Sequence, residues 1–187
     1  MNIRKIFWKT WNFLVHEDSL ASFVADAILI LIIGNFILFP GIGMALNSDF
    51  PVVAVISGSM DHQDEDFNDW WLQKAQQYEI YNISQSDFEN FYAENGFDKG
   101  DVLVIKGVPI AELKVGDVIV YSVPQRGDPI IHRIVSLDPI STKGDANSGQ
   151  ISFERAIPEN QVHGKAVALI PYLGWVKVGA VELLGMI

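Results

Sequence analysis

Cysteine is absent, which excludes disulfides, thiolate nucleophiles and cysteine-ligated metal but leaves the compartment open. Basic residues are scarce. Thirteen Lys and Arg stand against 23 Asp and Glu, for a net charge of −10 and a pI of about 4.7. A surface of that sign repels phosphate backbones, so nucleic acid is not an expected partner. Histidine occurs four times, at His16, His62, His132 and His163, without an HExxH-like spacing; there is no metal signature and no cofactor is implied. Internal repeats and low-complexity tracts are also missing.

Charge is missing altogether from one stretch, AILILIIGNFILFPGIGMAL, residues 27–46. About twenty apolar residues in a helix span roughly 30 Å, the thickness of a bilayer core. Gly34, Asn35 and Pro40 are tolerable there, and Pro40 is expected to bend or end the helix. A buried helix of a soluble protein would show a polar face, which this run lacks. A cleaved export signal is the other candidate, with Gly43 and Ala45 at a small-x-small site. The long preceding segment, residues 1–26, carries Trp8, Trp11 and Phe13 at the spacing of an interfacial helix and favours a retained anchor. Arg4, Lys5 and Lys9 precede the span, so the positive-inside rule puts the N-terminus in the cytoplasm and residues 47–187 outside.

Beyond the anchor, short Val/Ile-rich runs at 51–57, 101–108, 117–123, 129–137 and 164–170 are punctuated by Gly, Pro and Asp. They predict a mostly β, antiparallel domain, a small barrel or sandwich. Residues 62–98 break the pattern. Phe67, Trp70, Trp71 and Tyr78 share a helical face, and Ser86 with Glu89 makes a capping box for a second helix bearing Phe88, Phe91 and Tyr92. This acidic helical insertion reads either as a small packed subdomain or as a lid or docking surface. Asn82-Ile83-Ser84 forms a glycosylation sequon. The C-terminal segment 174–187 is apolar but too short to span, which leaves a core helix and an interfacial helix both open.

Three side chains have the types needed for acyl transfer. Ser59, in Ile56-Ser57-Gly58-Ser59-Met60, follows a strand among small residues that would let a carbonyl approach. A serine hydroxyl needs an adjacent base to become nucleophilic. His132 sits on a strand face with Ile130 and Ile134, where an imidazole must find a partner and is suited to accepting a serine proton near neutral pH. Asp145, in Thr142-Lys143-Gly144-Asp145-Ala146-Asn147, reads as a turn residue or as the acid that orients the imidazole. Spacing alone does not assemble them.

Their order does more. Ser-Gly-Ser-Met after an apolar span, then Val-Gly-Asp-Val-Ile-Val-Tyr (115–121), then Ile-His-Arg-Ile (131–134), then Lys-Gly-Asp-x-Asn (143–147) resembles the type I signal peptidases. The resemblance runs from the anchor to about Tyr172, interrupted by 62–98. Histidine in the third box resembles the archaeal and endoplasmic-reticulum branch. It implies a serine endopeptidase held at the cell membrane with its β domain outside, cutting signal peptides from secretory preproteins after a small-x-small motif, in the company of export machinery. It further implies Ser59 as nucleophile, His132 as general base, Asp145 as assisting acid, and Ser57 with the Ser59 N–H as oxyanion hole. An extended substrate would lie along Val55, Ile56, Ile130 and Ile131. The sequence departs from the branch in one respect: a second aspartate is usual six residues after the first, and Ile151 stands there. The role is open between a substitute, Asp128 or Glu154, and a single acid. Self-cleaving repressors share this architecture but are soluble and bind DNA. A degenerate homologue acting as scaffold or subunit of a secretion complex is the alternative function.

Overall fold

The computed structural model describes residues 3–183, in two compact units, residues 1–45 and 46–187. In the first, α1 (Ile3–His16) leads into α2 (Leu20–Ile33), a π-wound turn (Gly34–Leu38) and α3 (Phe39–Leu46). The helical run Leu20–Leu46 is unbroken over 27 residues and is long and apolar enough to cross a membrane. It starts seven residues before the charge-free stretch because Ser19 caps it: the Ser19 side chain accepts from Ser22 N, and the Ser22 side chain accepts from Ser19 N. Nor does Pro40 end it. The turn before it is widened, with the Phe39 N–H reaching back to Gly34 O, which relieves the proline ring's clash with preceding carbonyls.

The second unit is one antiparallel sheet in the order β1-β2-β6-β3-β4-β5. Its strands are β1 (Val52–Ala54), β2 (Val102–Lys106), β3 (Val118–Tyr121), β4 (Ile130–Leu137), β5 (Ile140–Lys143) and β6 (Val162–Ile170). Four lie inside the Val/Ile-rich runs, and β6 begins two residues before the run at 164–170. The remaining strand, Ile-Ser-Thr-Lys, is short and polar and gave no apolar signal. Alternation along β3 explains why the sheet is buried on both sides. Val118 and Val120 pack with Val53, Met60, Leu103 and Ile105, while Ile119 and Tyr121 pack with Leu113, Ile134 and Ile157. β1 and β5 are the edges.

Between β1 and β2 the chain makes α4 (Phe67–Glu79) and the single turn α5 (Gln85–Phe88). Phe67, Trp70, Trp71 and Tyr78 do share a face, and with Ile83 and Phe88 they form a third core against Val135 of β4. The cap lies two residues earlier than Ser86 and Glu89: Ser84 takes it with Asp87, because Asn82 turns the chain at φ 59° and Ile83 is buried, leaving Ser84 at the helix entrance. Asn82 itself is exposed.

At the other end, α6 (Trp175–Leu183) is seated by Val178, which is fully buried, and by the Gly174 N–H on Gly100 O at 2.7 Å; Val176 faces out. Residues 184–187 of the C-terminal segment and residues 1–2 of the N-terminal one lie outside the described residues.

Candidate active site

Ser59 stands at the end of a strand extension. Past β1, the Val55 N–H donates to Asp101 O and its carbonyl accepts from Gly100 N, both at 2.9 Å. Then a turn closes with Asp61 N on Gly58 O at 3.2 Å. Met60, 1% exposed, plugs this turn into the first core. Its carbonyl accepts from Phe97 N at 3.1 Å, and Ser59 O accepts from Ala146 N at 3.0 Å. The nucleophile candidate is therefore held by backbone on three sides, with its hydroxyl left free.

That hydroxyl meets His132. On β4, opposite Ile119 of β3, His132 brings Nε2 to 3.0 Å from Ser59 Oγ across 73 residues of sequence. Ser57 Oγ is 3.3 Å from Ser59 Oγ. The far ring nitrogen, Nδ1, is in direct contact with Glu154 Oε1, and both side chains are buried. A carboxylate at Nδ1 fixes the tautomer that leaves Nε2 free to accept the serine proton, and it stabilises the imidazolium that results.

Asp145 does not take that place. Its carboxylate is fully buried and is bound by Arg133, with Nη2 on Oδ2 at 2.7 Å and Nε on Oδ1 at 3.1 Å. Tyr78 donates to Oδ1 at 2.7 Å, and His62 Nε2 lies 3.2 Å from Oδ2. Burial alone would raise the Asp145 pKa, but the Arg133 guanidinium, helped by His62, holds it well below the usual carboxylate range. Strand alternation is the reason: His132 and Arg133 are neighbours on β4 and face opposite ways, and Asp145 follows β5 on the arginine's side. Burial and the nearby Asp145 charge push the Tyr78 hydroxyl well up. Lys143 is lowered to about 8 by burial, partly offset by Asp145.

Glu154 was legible in the sequence only as one of two substitutes. It ends a 3-10 turn (Ser152–Glu154) and its Oε2 accepts the Ile151 N–H at 2.6 Å. This fold-back carries the carboxyl group to the point where the chain passes residue 151, the place of the missing aspartate. Asp128 is exposed and lines the rim of the cleft.

The pair opens into a cleft of about 370 Å³. Val55 and Ile56 form one wall with Ser57 and Ser59, Ile130 and Ile131 form another with His132, and Phe97, Ile151 and Phe153 close it. Because Val55 bonds inward to residues 100 and 101, alternation turns the amides of Ala54 and Ile56 outward along the free edge of β1.

The chain is 28% identical to a signal peptidase complex catalytic subunit of Colletotrichum graminicola, over 76% of this chain and 71% of that one. It is also 28% identical to the subunit of Sclerotinia sclerotiorum, over 89% and 84% of the two chains, and 27% identical to that of Schizosaccharomyces pombe, over 81% and 78%. This chain is a homologue of signal peptidase catalytic subunits. No family model matches it. As in the endoplasmic-reticulum branch that the sequence resembles, histidine stands where bacterial signal peptidases have lysine.

One prediction for a signal peptidase homologue follows from Gly144. A Cβ there would stand 2.6 Å from Asn147 Nδ2, 2.8 Å from His132 Nε2 and 2.8 Å from Ser59 O, so it crowds the place where the serine and histidine meet. A Gly144→Ala variant is expected to fold and bind substrate, yet to lose about tenfold or more in single-turnover cleavage, since small misplacements of reacting groups are costly. Wild-type rates in that variant would show that the close approach is dispensable.

Proposed function

We propose that the chain is a membrane-anchored serine endopeptidase that removes signal peptides from exported preproteins, with Ser59 as nucleophile, His132 as general base and Glu154 as the acid behind the histidine. The observation that carries the reading is the single line of contacts from Ser59 Oγ through the two ring nitrogens of His132 to Glu154, open to the cleft at the serine end.

In the reaction, Ser59 Oγ attacks the scissile carbonyl as His132 Nε2 takes its proton. Negative charge develops on the carbonyl oxygen, where the Ser57 hydroxyl and the Ser59 N–H donate. His132 then gives its proton to the leaving amine, and a water activated by the same nitrogen releases the acyl group from Ser59. The substrate pairs in extended form with the outward amides of Ala54 and Ile56, against Ile130 and Ile131. The apolar helix Leu20–Leu46 serves as the chain's membrane anchor. Arg4, Lys5 and Lys9 set the N-terminus on the cytoplasmic side, and the catalytic unit on the outer side. Its relatives are named as subunits of a signal peptidase complex, and the chain is expected to work within a complex of that kind.

The test is cleavage by the full chain in membranes of a preprotein with a small-x-small site. The new N-terminus is expected directly after the second small residue. Tryptophan in place of either small residue should slow cleavage about a hundredfold or more, since a pocket that has to expand loses far more than one methylene's worth of binding. Unchanged cleavage of the tryptophan substrates, or of the normal substrate by Ser59→Ala, would overturn the reading.

A further inference from the structure

Glu154 and the amide that holds Ser59 both belong to one irregular segment, residues 144–154. Ala146 N binds Ser59 O, Gly144 packs against His132 Nε2, and Glu154 contacts His132 Nδ1. The segment leaves β5, an edge strand, and has little regular structure of its own beyond the 3-10 turn that ends at Glu154. Segments of this kind open locally unless tied down.

The ties come from the helical insertion. Lys74 of α4 donates to Ala146 O at 2.9 Å. Tyr78 and His62 hold the Asp145 carboxylate at 2.7 and 3.2 Å. Tyr81 donates to Gln150 Oε1 at 2.8 Å, while Gln150 Nε2 reaches Thr142 O at 2.7 Å and Glu154 O at 3.5 Å. Four insertion side chains thus grip the segment along its length, at Asp145, Ala146 and Gln150. None of these four lines the cleft. Behind them Trp70, Trp71, Tyr78 and Phe88 pack as a core against Val135, with His62 stacked on Trp70 at 3.7 Å between ring centroids.

We infer that the insertion 62–98 is a brace rather than a lid: Lys74 and Tyr81 are positioning residues that fix segment 144–154, and through it Glu154, against His132. The inference rests on the reading of Ser59, His132 and Glu154 as the catalytic group. Lys74 and Tyr81 make it testable because each spends one polar group on the segment, and the substitutions spare the insertion's core: Lys74 lies outside it, and Tyr81, which packs against it, keeps its ring as Phe.

Two measurements on the full chain in detergent or membranes decide it. First, hydrogen exchange in Lys74→Met/Tyr81→Phe is expected to lose protection in peptides covering 144–154, with β2 and β3 unchanged. Unchanged protection of that segment overturns the brace, whether or not the protein cleaves anything. Second, the double variant should lose about tenfold in kcat with KM unchanged, and Lys74→Arg, which keeps a donor, should recover most of the Lys74 part. In a Glu154→Ala background the same two substitutions should cost nothing further, because neighbours acting through one group are not additive. An equal loss in both backgrounds, or full activity despite lost protection, overturns the positioning role. A wild-type protein that leaves preproteins uncut refutes the peptidase reading, and the exchange result still decides whether the insertion braces the segment.

Discussion

Glu154→Gln is expected to lower kcat on the order of 10³- to 10⁴-fold with KM nearly unchanged, a loss that approaches those of Ser59→Ala and His132→Ala. The amide keeps the size of the carboxyl group and can still accept from Ile151 N, so the 3-10 turn survives. What changes is the partner of His132 Nδ1. A carboxylate at Nδ1 demands a proton there and leaves Nε2 as the acceptor facing Ser59 Oγ at 3.0 Å. An amide can present its NH₂ to Nδ1 instead, which puts the proton on Nε2 and removes the base. It also withdraws the negative charge that stabilises the imidazolium in the transition state. On the proposed mechanism the three residues act as one device, so Ser59→Ala combined with Glu154→Gln should be no slower than Ser59→Ala alone.

The contrast that decides the assignment is with Asp145→Asn. If Asp145 were the orienting acid, its variant would lose kcat at unchanged stability, and Glu154→Gln would cut normally. Both results together, with stability measured alongside preprotein cleavage, would return the role to Asp145. A positive version is available too. Glu154→Ala with Ile151→Asp restores an acid at the spacing usual for the branch, and it should recover part of the activity, since the Glu154 carboxyl group already lies at the Ile151 amide.

Which parts of this were readable in the sequence follows from the range of the interactions involved. Strand runs such as Asp117–Val123 and Pro129–Leu137 announce themselves because both faces of the sheet are buried and most of their residues are Val, Ile, Leu or Tyr. β5 was missed because three of its four residues are polar and their burial depends on distant partners: Lys143 lies over the Tyr78 ring at 4.5 Å, and Thr142 bonds the Tyr121 hydroxyl at 2.9 Å. Ser59 and His132 emerged from ordered boxes, each of which carries local chemistry. Glu154 did not, because its place depends on a fold-back of one turn that no box encodes. The Asp145 expectation went astray for a related reason. Strand alternation was applied to His132 and Arg133, but which of the two the Lys-Gly-Asp loop would meet depends on the pairing of β4 with β5, a register fixed in space. The insertion's aromatic face was legible from helical spacing, while its contacts with segment 144–154 are made by single polar atoms of Lys74, Tyr78 and Tyr81 whose partners lie 67 to 72 positions away.

Arg133→Met is expected to destabilise the catalytic unit by about 3–5 kcal/mol, the range for breaking a buried ion pair by removing one partner. The guanidinium is fully buried. Besides Asp145 it satisfies three carbonyls, those of Tyr92 at 2.7 Å, Gly116 at 3.1 Å and Ala93 at 2.8 Å, and it stacks over Phe88 at 4.5 Å from the ring centroid. Methionine replaces the apolar stem and none of the donors, so the buried Asp145 carboxylate loses its cation, keeping only Tyr78 and His62, while the Gly116, Tyr92 and Ala93 carbonyls each lose a donor. For a unit of this size the expected fall in Tm is about 10 °C or more. The pH dependence separates the ion pair from simple packing. Asp145 is depressed in the folded protein, so in acid the unfolded chain takes up a proton, near pH 4, that the folded chain refuses. Its stabilising contribution is therefore complete above about pH 4 and is lost as pH falls further. Wild type should lose stability steeply between roughly pH 4 and 2, and Asp145→Asn, which has no proton to bind there, should lose it less steeply. Because the two groups compensate each other, the double variant Arg133→Met/Asp145→Asn should be less destabilised than the sum of the singles, read by thermal unfolding in detergent. Strict additivity, or an Asp145→Asn acid limb as steep as wild type, would mean that the pair does not hold the insertion to the sheet as the geometry indicates.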